Sequence, residues 1–329
     1  MGGVAAQASL PPRIWVDLQC AVAGQDHELT EYYERDDIRP RLLCGDPETK
    51  TSGWEHIKFR HGENGAGIRW SDELAQFSNY PVAWHYLMDW ATAVTISEHS
   101  AGIFTRPTST CYMHDFTAIL PSGTTTKRVA VIIDARGGPV VTSFPTDNPN
   151  YFCGGSPTEP LTPRGEGPAT TTMNCGLIGA GCFTHLSNGK SIYFSPDTGS
   201  QLVRGVIRNR YESLGWERSF LVYPTTNERC GLLRSGCFNH FQGGSIYFSP
   251  NTGAWPVGGA FRDAWASKGW ERSPFGYPIT GEKHPGGEAP ANHRVQQFEY
   301  GFLYWNGSSV TGEWQDPVTQ ETHRARIGG

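Results

Sequence analysis

The chain has 329 residues, which is long enough for two domains with separate hydrophobic cores. It carries 27 Lys and Arg against 32 Asp and Glu, so the net charge of −5 gives no overall attraction to nucleic acid. The 40 glycines favour turns and short strands over a helical bundle. No apolar run approaches the roughly 20 residues that span a bilayer, so no membrane span is expected.

The front of the chain, residues 12–150, predicts an α+β domain in which N-terminal helices pack on a curved antiparallel sheet. A helix is expected to open at Trp70, with Ser71 as its cap and acidic residues in its first turn. Apolar residues then recur at helical spacing, and apolar runs separated by glycine-bearing turns follow. These segments predict a helix over 82–96 and strands over 114–120, 128–134 and 139–144.

The candidate chemistry of this domain lies in the run from His56 to His61. Two imidazoles suit a general base and a general acid near neutral pH. Hydroxyl groups and cations from two expected strands are suited to holding a phosphate and stabilising charge on its oxygens. These are Thr142 and Ser143 on one strand, and Lys127 and Arg128 on its neighbour. The set is sufficient for RNA cleavage without a metal or other cofactor.

The run Gly53-Trp-Glu-His-Ile-Lys-Phe-Arg-His61, followed by Arg128-Val-Ala-Val-Ile-Ile and Val140-Val-Thr-Ser-Phe-Pro145, resembles the toxin ribonucleases of the barnase–EndoU–colicin–RelE superfamily. The resemblance covers residues about 50–146 and rests on short motifs. It implies RNA as the substrate and an immunity protein as a partner. The implied site consists of catalytic His56 or His61, phosphate contacts Lys58 and Arg60, and substrate contact Thr142 or Ser143.

Two observations keep other interpretations of the cluster open. Residues 1–150 carry a net charge of −6, so a nuclease would have to concentrate its positive charge in one cleft. The histidines also fit the polar face of an ordinary helix. A metal site combining His56 and His61 with His114 or Asp115 is a further alternative, although the His-Glu-x-x-His spacing is missing.

Residues 151–172 are rich in Pro, Thr and Gly and predict a linker. Behind it, residues 173–325 contain a block that occurs twice at a spacing of 54, from Tyr193 to Tyr247 and from Trp216 to Trp270. Each copy predicts a short strand, a Thr-Gly turn, and a helix that stops at Gly215 or Gly269. The run Gln297–Trp305 predicts a third, partial copy.

The cysteines duplicate with the block, because Cys175 and Cys182 are echoed by Cys230 and Cys237. A pair that duplicates with its repeat most simply bonds within it, which leaves an even number of cysteines in the front half. The eight cysteines therefore predict four disulfides and an oxidising compartment. Zinc is the alternative, although six intervening residues exceed the two to four of a zinc knuckle.

The runs Gly-Ser-Ile-Tyr-Phe, Thr-Gly and Gly-Trp-Glu-Arg-Ser, together with Phe275-Gly-Tyr-Pro278, resemble the LGFP repeat family over residues about 173–310. The resemblance implies a secreted protein that binds a cell wall, an envelope or its glycans, and it does not imply catalysis. The chain departs from the motif at Val222 and in its cysteine pairs. Most repeat aromatics fit core packing, whereas Trp216 and Trp270 are candidate sugar contacts.

Three functions compete on these observations. The leading hypothesis is a secreted effector or toxin whose front domain cleaves RNA without a metal, by transesterification with histidine acid and base, while its repeats bind an envelope or glycan. The second is a non-enzymatic cell-surface protein with a further recognition domain at its front. The third is a wall-degrading hydrolase, which would need a carboxylate pair or a metal set that the sequence does not clearly show.

Overall fold

The computed structural model describes residues 13–34, 38–65, 68–135, 137–146, 153, 172–316 and 318–328. The chain divides into two compact units, Met1–Leu202 and Val203–Gly329. Helices and several small antiparallel sheets confirm the predicted α+β class. The predicted linker lies outside the described residues except for Cys153 and Thr172. Within the described ranges, no helix has the length and apolarity needed to cross a membrane.

The front of the first unit is built around a four-stranded antiparallel sheet in which the strands lie in chain order. A two-stranded sheet and four helices accompany it in the described residues. The elements are α1 (Arg13–Ala23), β1 (Glu28–Glu31), β2 (Arg41–Leu43), α2 (Gly53–His61), α3 (Trp70–Leu74), α4 (Trp84–Glu98), β3 (Gly102–Thr105), β4 (Ser109–Leu120), β5 (Gly123–Asp134) and β6 (Val140–Thr146).

Helix α3 corrects one detail of the sequence analysis. It begins at Trp70, so Arg69 occupies the N-cap position and Ser71 lies inside the first turn. The Ser71 hydroxyl contacts Asp72 rather than a backbone N–H group. The buried Trp70 and Leu74 instead anchor this short helix to the core.

Helix α4 is buried around almost its whole circumference, including polar residues such as Asp89, Thr92 and Thr95. It starts and ends two residues later than predicted, and its C-cap His99 adopts a left-handed conformation with φ 30°. An amphipathic pattern predicts one buried face, so burial on both sides indicates a second layer over the helix.

The second layer over α4 is the sheet of the first repeat. It consists of β7 (Asn174–Cys175), β8 (Cys182–Leu186), β9 (Lys190–Ser195) and β10 (Gly199–Arg204). The indole of Trp90 donates a hydrogen bond of 2.9 Å to the Thr184 hydroxyl, and the Ser200 backbone N–H donates one of 2.9 Å to Asp89. Ile192 and Phe194 belong to the same core as α4. The first repeat sheet is therefore part of the front unit's hydrophobic core.

The second unit contains two further four-stranded antiparallel sheets in its described residues. Helix α5 packs on the first of them, and α6 contacts both. The run predicted as a partial third copy lies in a complete sheet, so the architecture repeats where the sequence similarity has faded. The elements are α5 (Gly205–Leu214), β11 (Arg229–Leu232), β12 (Gly236–Phe241), β13 (Gly244–Ser249), β14 (Gly253–Gly258), α6 (Gly259–Ser267), β15 (Arg294–Phe298), β16 (Gly301–Trp305), β17 (Val310–Gln315) and β18 (Thr322–Gly328).

The duplicated motifs form equal local structures. In both Thr-Gly turns a serine and a threonine hydroxyl lie 2.9 Å apart, Ser195 with Thr198 and Ser249 with Thr252. Gly215 and Gly269 both have φ 99°, a left-handed conformation that lets the chain leave the preceding helix.

All eight cysteines are paired, which confirms the four predicted disulfides. Cys175 bonds Cys182 and Cys230 bonds Cys237, each pair within its own repeat as predicted. The other two pairs, ahead of the repeats, are Cys20–Cys44 and Cys111–Cys153.

Asp89 makes the stability of the first unit dependent on pH. Burial raises its carboxyl pKa to about 6, although hydrogen bonds from Ser200 and Tyr32 lower it. The folded state then binds the proton more tightly than the unfolded state between pH 4 and 6. Relative to Asp89→Asn, the wild type is expected to lose up to about 3 kcal/mol of unfolding free energy as the pH rises through this window. Chemical unfolding of both proteins at pH 4.5 and 7.5 measures the difference, and parallel pH profiles would contradict the assignment.

Candidate active site

Helix α2 is fixed in place by its apolar face and by one carboxylate on α1. Trp54 stacks on Trp84 with ring centroids 5.3 Å apart, and its indole donates a hydrogen bond of 3.1 Å to Asp17. Lys58 donates to Asp17 and to Glu55 at 2.9 Å each. The disulfide of Cys20 further ties α1 to the segment that precedes α2. These contacts leave the histidine-bearing side of α2 facing strand β6.

An open groove with a volume of about 550 Å³ lies between α2 and β6. Because side chains alternate along a strand, Thr142 and Phe144 share the face of β6 that lines it. Ser143 lies on the opposite face, fully buried, with its hydroxyl 2.7 Å from that of Thr92 on α4. The groove-lining residues are Thr49, Lys50, Thr51, His56, Phe59, Arg60, His61, Thr142 and Phe144.

The two histidines each use one ring nitrogen for positioning. His56 Nδ1 lies 2.8 Å from the Lys50 carbonyl oxygen, and His61 Nδ1 lies 3.0 Å from that of Ile68. A carbonyl oxygen only accepts hydrogen bonds, so Nδ1 carries the proton in both rings. Nε2 is then the ring nitrogen left to exchange a proton with a bound substrate. The ring centroids are 6.3 Å apart, and His61 also stacks on Phe144 at 5.3 Å.

The surroundings of His61 favour its neutral form. Burial lowers its pKa below the ordinary 6.5, and the nearby His56 and Arg60 lower it further, while the bond to Ile68 acts in the opposite direction. A neutral imidazole near pH 7 is the state that a general base requires. His61 is therefore the better candidate for the base, which leaves His56 as the candidate acid.

The predicted cations divide into one groove residue and three structural residues. Arg60 is exposed and lines the groove. Lys58 is paired with Asp17 and Glu55, Lys127 with Glu73, and Arg128 with Asp115 through two bonds of 2.7 Å. These three pairs do not line the groove, so Lys58, Lys127 and Arg128 do not belong to the candidate site.

Five groove residues were not predicted from the sequence, namely Thr49, Lys50, Thr51, Phe59 and Phe144. Phe144 was within reach, because it stands two residues after Thr142 and shares its face of the strand. Phe59, which is 48% exposed, belongs to no recognised motif and lies in the run His56–His61, where only the histidines and cations were considered. Lys50 precedes α2 with φ 50°, and its ammonium group lies 4.7 Å from the Phe59 ring centroid. The sequence does not show that the chain turns at Lys50, so its place as a second groove cation is seen only in the structure.

Thr142 Oγ1 is buried and makes no hydrogen bond to the part of the chain that the structure describes. A buried hydroxyl without a partner costs free energy, so this oxygen retains hydrogen-bonding capacity at the groove floor. Of the two predicted hydroxyl residues, Thr142 is therefore the one that belongs to the candidate site.

The residues proposed as metal ligands are occupied otherwise. Asp115 binds Arg128, and His114 Nδ1 lies 2.9 Å from the Ser100 hydroxyl. Among the described residues, one cluster has ligand atoms close enough for a metal, Glu228 with Cys230 and Cys237. Because its two cysteines form a disulfide, they cannot supply thiolates.

Trp270 and Trp216 are packed against neighbouring side chains. Trp270 stacks on Tyr247 at 5.6 Å, lies edge-on to Trp265 at 5.3 Å, and has the Arg262 guanidinium 5.3 Å from its ring. It belongs to the partly buried rim of the second unit's core. Trp216 has Arg208 at 5.0 Å and Tyr211 at 5.4 Å. These contacts favour the core-packing interpretation of both residues over sugar contact.

Comparison with known families matches two segments of the chain, residues 167–219 and 221–273, to the LGFP repeat. The repeats indicate a cell-surface or envelope-associated protein, and the disulfides are compatible with an extracellular location. No curated protein matches the chain. The comparisons do not support the resemblance to toxin ribonucleases.

The position of His61 makes its titration predictable. Its pKa is expected below 6.5, and Arg60→Gln is expected to raise it because a nearby positive charge is removed. NMR titration of the imidazole carbon signals in wild type and variant measures both values. A His61 pKa at or above 6.5, or one unmoved by the substitution, would overturn the electrostatic account of the groove.

Proposed function

We propose that the chain is an extracellular, envelope-associated protein whose front unit cleaves RNA without a metal ion. The observation that carries the proposal is the convergence of His56, His61, Arg60 and Thr142 on one open groove. These groups supply a base, an acid, a cation and a hydroxyl, which is the set that phosphodiester transesterification requires.

In the proposed reaction, His61 Nε2 takes the proton from a ribose 2′-hydroxyl. The 2′-oxygen then attacks phosphorus, and the bond from phosphorus to the 5′-oxygen breaks. His56 Nε2 donates its proton to that leaving oxygen, which yields a 2′,3′-cyclic phosphate and a 5′-hydroxyl. Arg60 stabilises the charge that develops on the non-bridging oxygens, and the Thr142 hydroxyl contacts one of them.

Although residues 1–150 carry a net negative charge, the groove itself is lined by two cations. Three of its cations are neutralised in ion pairs away from the groove, whereas Arg60 and Lys50 both line it. Local positive charge is thus concentrated where a phosphate would bind, although the net charge of residues 1–150 is −6. Phe59 and Phe144 add aromatic faces on which bases can stack.

A non-enzymatic cell-surface or glycan-binding role is the second candidate. The LGFP matches favour it directly, because they cover the repeats and carry no catalytic implication. On this interpretation the groove would be a recognition surface and the histidines structural. An immunity protein is expected as a partner only if the chain is a toxin, so that proposal depends on RNA cleavage.

The test is incubation of the full chain with a fluorescent single-stranded RNA in excess EDTA. Wild type is expected to give fragments ending in 2′,3′-cyclic phosphate. His56→Ala and His61→Ala are each expected to reduce the rate by about 100-fold or more, since each removes one proton-transfer group.

His27→Gln serves as the matched control, because His27 belongs to the same unit and does not line the groove. It is expected to cleave at the wild-type rate. Absence of cleavage by wild type, or equal cleavage by wild type and both groove variants, would refute the enzymatic proposal and leave the binding role.

A further inference from the structure

A second concave site lies in the second unit, at the start of helix α6. It has a volume of about 390 Å³ and is lined by Trp305, Glu282, Asn292, Arg294 and the first turn of α6. No function was predicted from the sequence for any of these side chains. All of the lining residues belong to one compact unit.

The 54-residue repeat shows why space opens here. Glu282 is the repeat equivalent of Glu228, and Gly258 is the equivalent of Arg204. Glu228 is 5% exposed and accepts a hydrogen bond of 2.8 Å from Arg204. Because Gly258 has no side chain, Glu282 lacks that arginine, and its side chain remains 45% exposed toward the site.

The third sheet also lacks a disulfide equivalent to Cys230–Cys237 of the second sheet. Cys237 pairs with Phe248 across the second sheet, and Arg294 pairs with Trp305 at the corresponding place in the third. An arginine and an indole thus replace a half-cystine and a phenylalanine. At this position the second sheet is closed by a disulfide, whereas the third sheet is open and carries polar side chains.

The lining groups are held by backbone contacts. Lys283 and Val295 exchange two hydrogen bonds of 3.0 and 2.8 Å, which sets Glu282 beside Arg294. Arg294 Nη1 donates to the carbonyls of Ala291 and His293 at 2.6 and 2.8 Å. A site whose side chains are fixed before binding loses little entropy when a ligand enters.

The charges indicate what such a ligand is. Arg294 Nε lies 3.5 Å from Glu282 Oε1, so the pair contributes no net charge and an anion gains little here. The site still offers a carboxylate acceptor, guanidinium and amide donors, and the first N–H groups of α6, which make no intrahelical hydrogen bond. The Trp305 indole adds a broad apolar surface. A pyranose ring has the matching combination of an apolar C–H face and an edge of hydroxyl groups.

We propose that this site binds a neutral saccharide, whose ring packs on Trp305 while its hydroxyl groups bond Glu282, Asn292 and Arg294. The proposal rests on the envelope-attachment part of the proposed function and is independent of RNA cleavage. It assigns glycan binding to the third sheet, in place of Trp216 and Trp270.

The test is calorimetric titration of the full chain with cellotetraose, chitotetraose and maltotetraose, with inorganic phosphate as an anionic probe. At least one oligosaccharide is expected to bind, and phosphate is not. Trp305→Ala is expected to weaken binding about tenfold or more because the stacking surface is lost. Glu282→Gln is expected to weaken it as well.

Tyr300→Ala is the control, because Tyr300 is an exposed aromatic residue of the same unit that does not line the site. Thermal melting checks that each variant is folded. Failure of all three oligosaccharides to bind, preference for phosphate, or equal affinity of wild type and Trp305→Ala would overturn the proposal. RNA cleavage by the same preparations separates the two claims, since Trp305→Ala is expected to retain the wild-type cleavage rate.

Discussion

The burial of helix α4 between two sheets is the constraint on which the first unit depends. Its residues contact β4 and β5 on one side and the first repeat sheet on the other. Trp90 bonds Thr184 in the repeat sheet, whereas Thr92 bonds Ser143 on the strand that carries the groove residues. One helix thus supports both the repeat sheet and the floor of the candidate active site. Removing either sheet would expose a face of α4 that holds large apolar side chains.

This arrangement explains why the unit boundary does not follow composition. A single repeat sheet cannot bury its aromatic face alone, and each needs a helix laid across it. Helix α5 packs on the second repeat sheet and α6 packs on the third. The first repeat sheet packs instead on α4, which comes from the unrelated front segment. The Pro-rich segment around 151–172 marks a change in sequence character, but the first sheet shares the hydrophobic core that lies before it. The front unit therefore extends to Leu202.

Much of the fold was readable from the sequence, because its signals are local. The Thr-Gly turns, the left-handed glycines after the repeat helices and the disulfides within the repeats follow from short motifs. Only part of the candidate site could be predicted from the sequence. Helical spacing brings His56 and His61 near each other, but the choice between Thr142 and Ser143 depends on which face of β6 meets α4. Likewise, Lys127 and Arg128 resembled phosphate contacts until their carboxylate partners from other elements were known. Tertiary pairing of this kind leaves no local trace.

The two candidate sites lie in different units and rely on different physics. The groove uses half-buried imidazoles and a local excess of positive charge, whereas the pocket at Trp305 combines a neutral ion pair with an apolar wall. The groove depends on α4, which contacts the strand of Thr142 and also packs on the first repeat sheet. The chain divides at Leu202, so most of that sheet belongs to the first unit. Native-state hydrogen exchange of the full chain tests that division most directly. We expect amides of α4, β5 and β9 to exchange through one opening reaction with a common free energy, different from that of β13 and β16. If β9 instead exchanged together with β13, independently of α4, the first repeat sheet would not belong to the same cooperative unit as α4, and the division at Leu202 would be wrong.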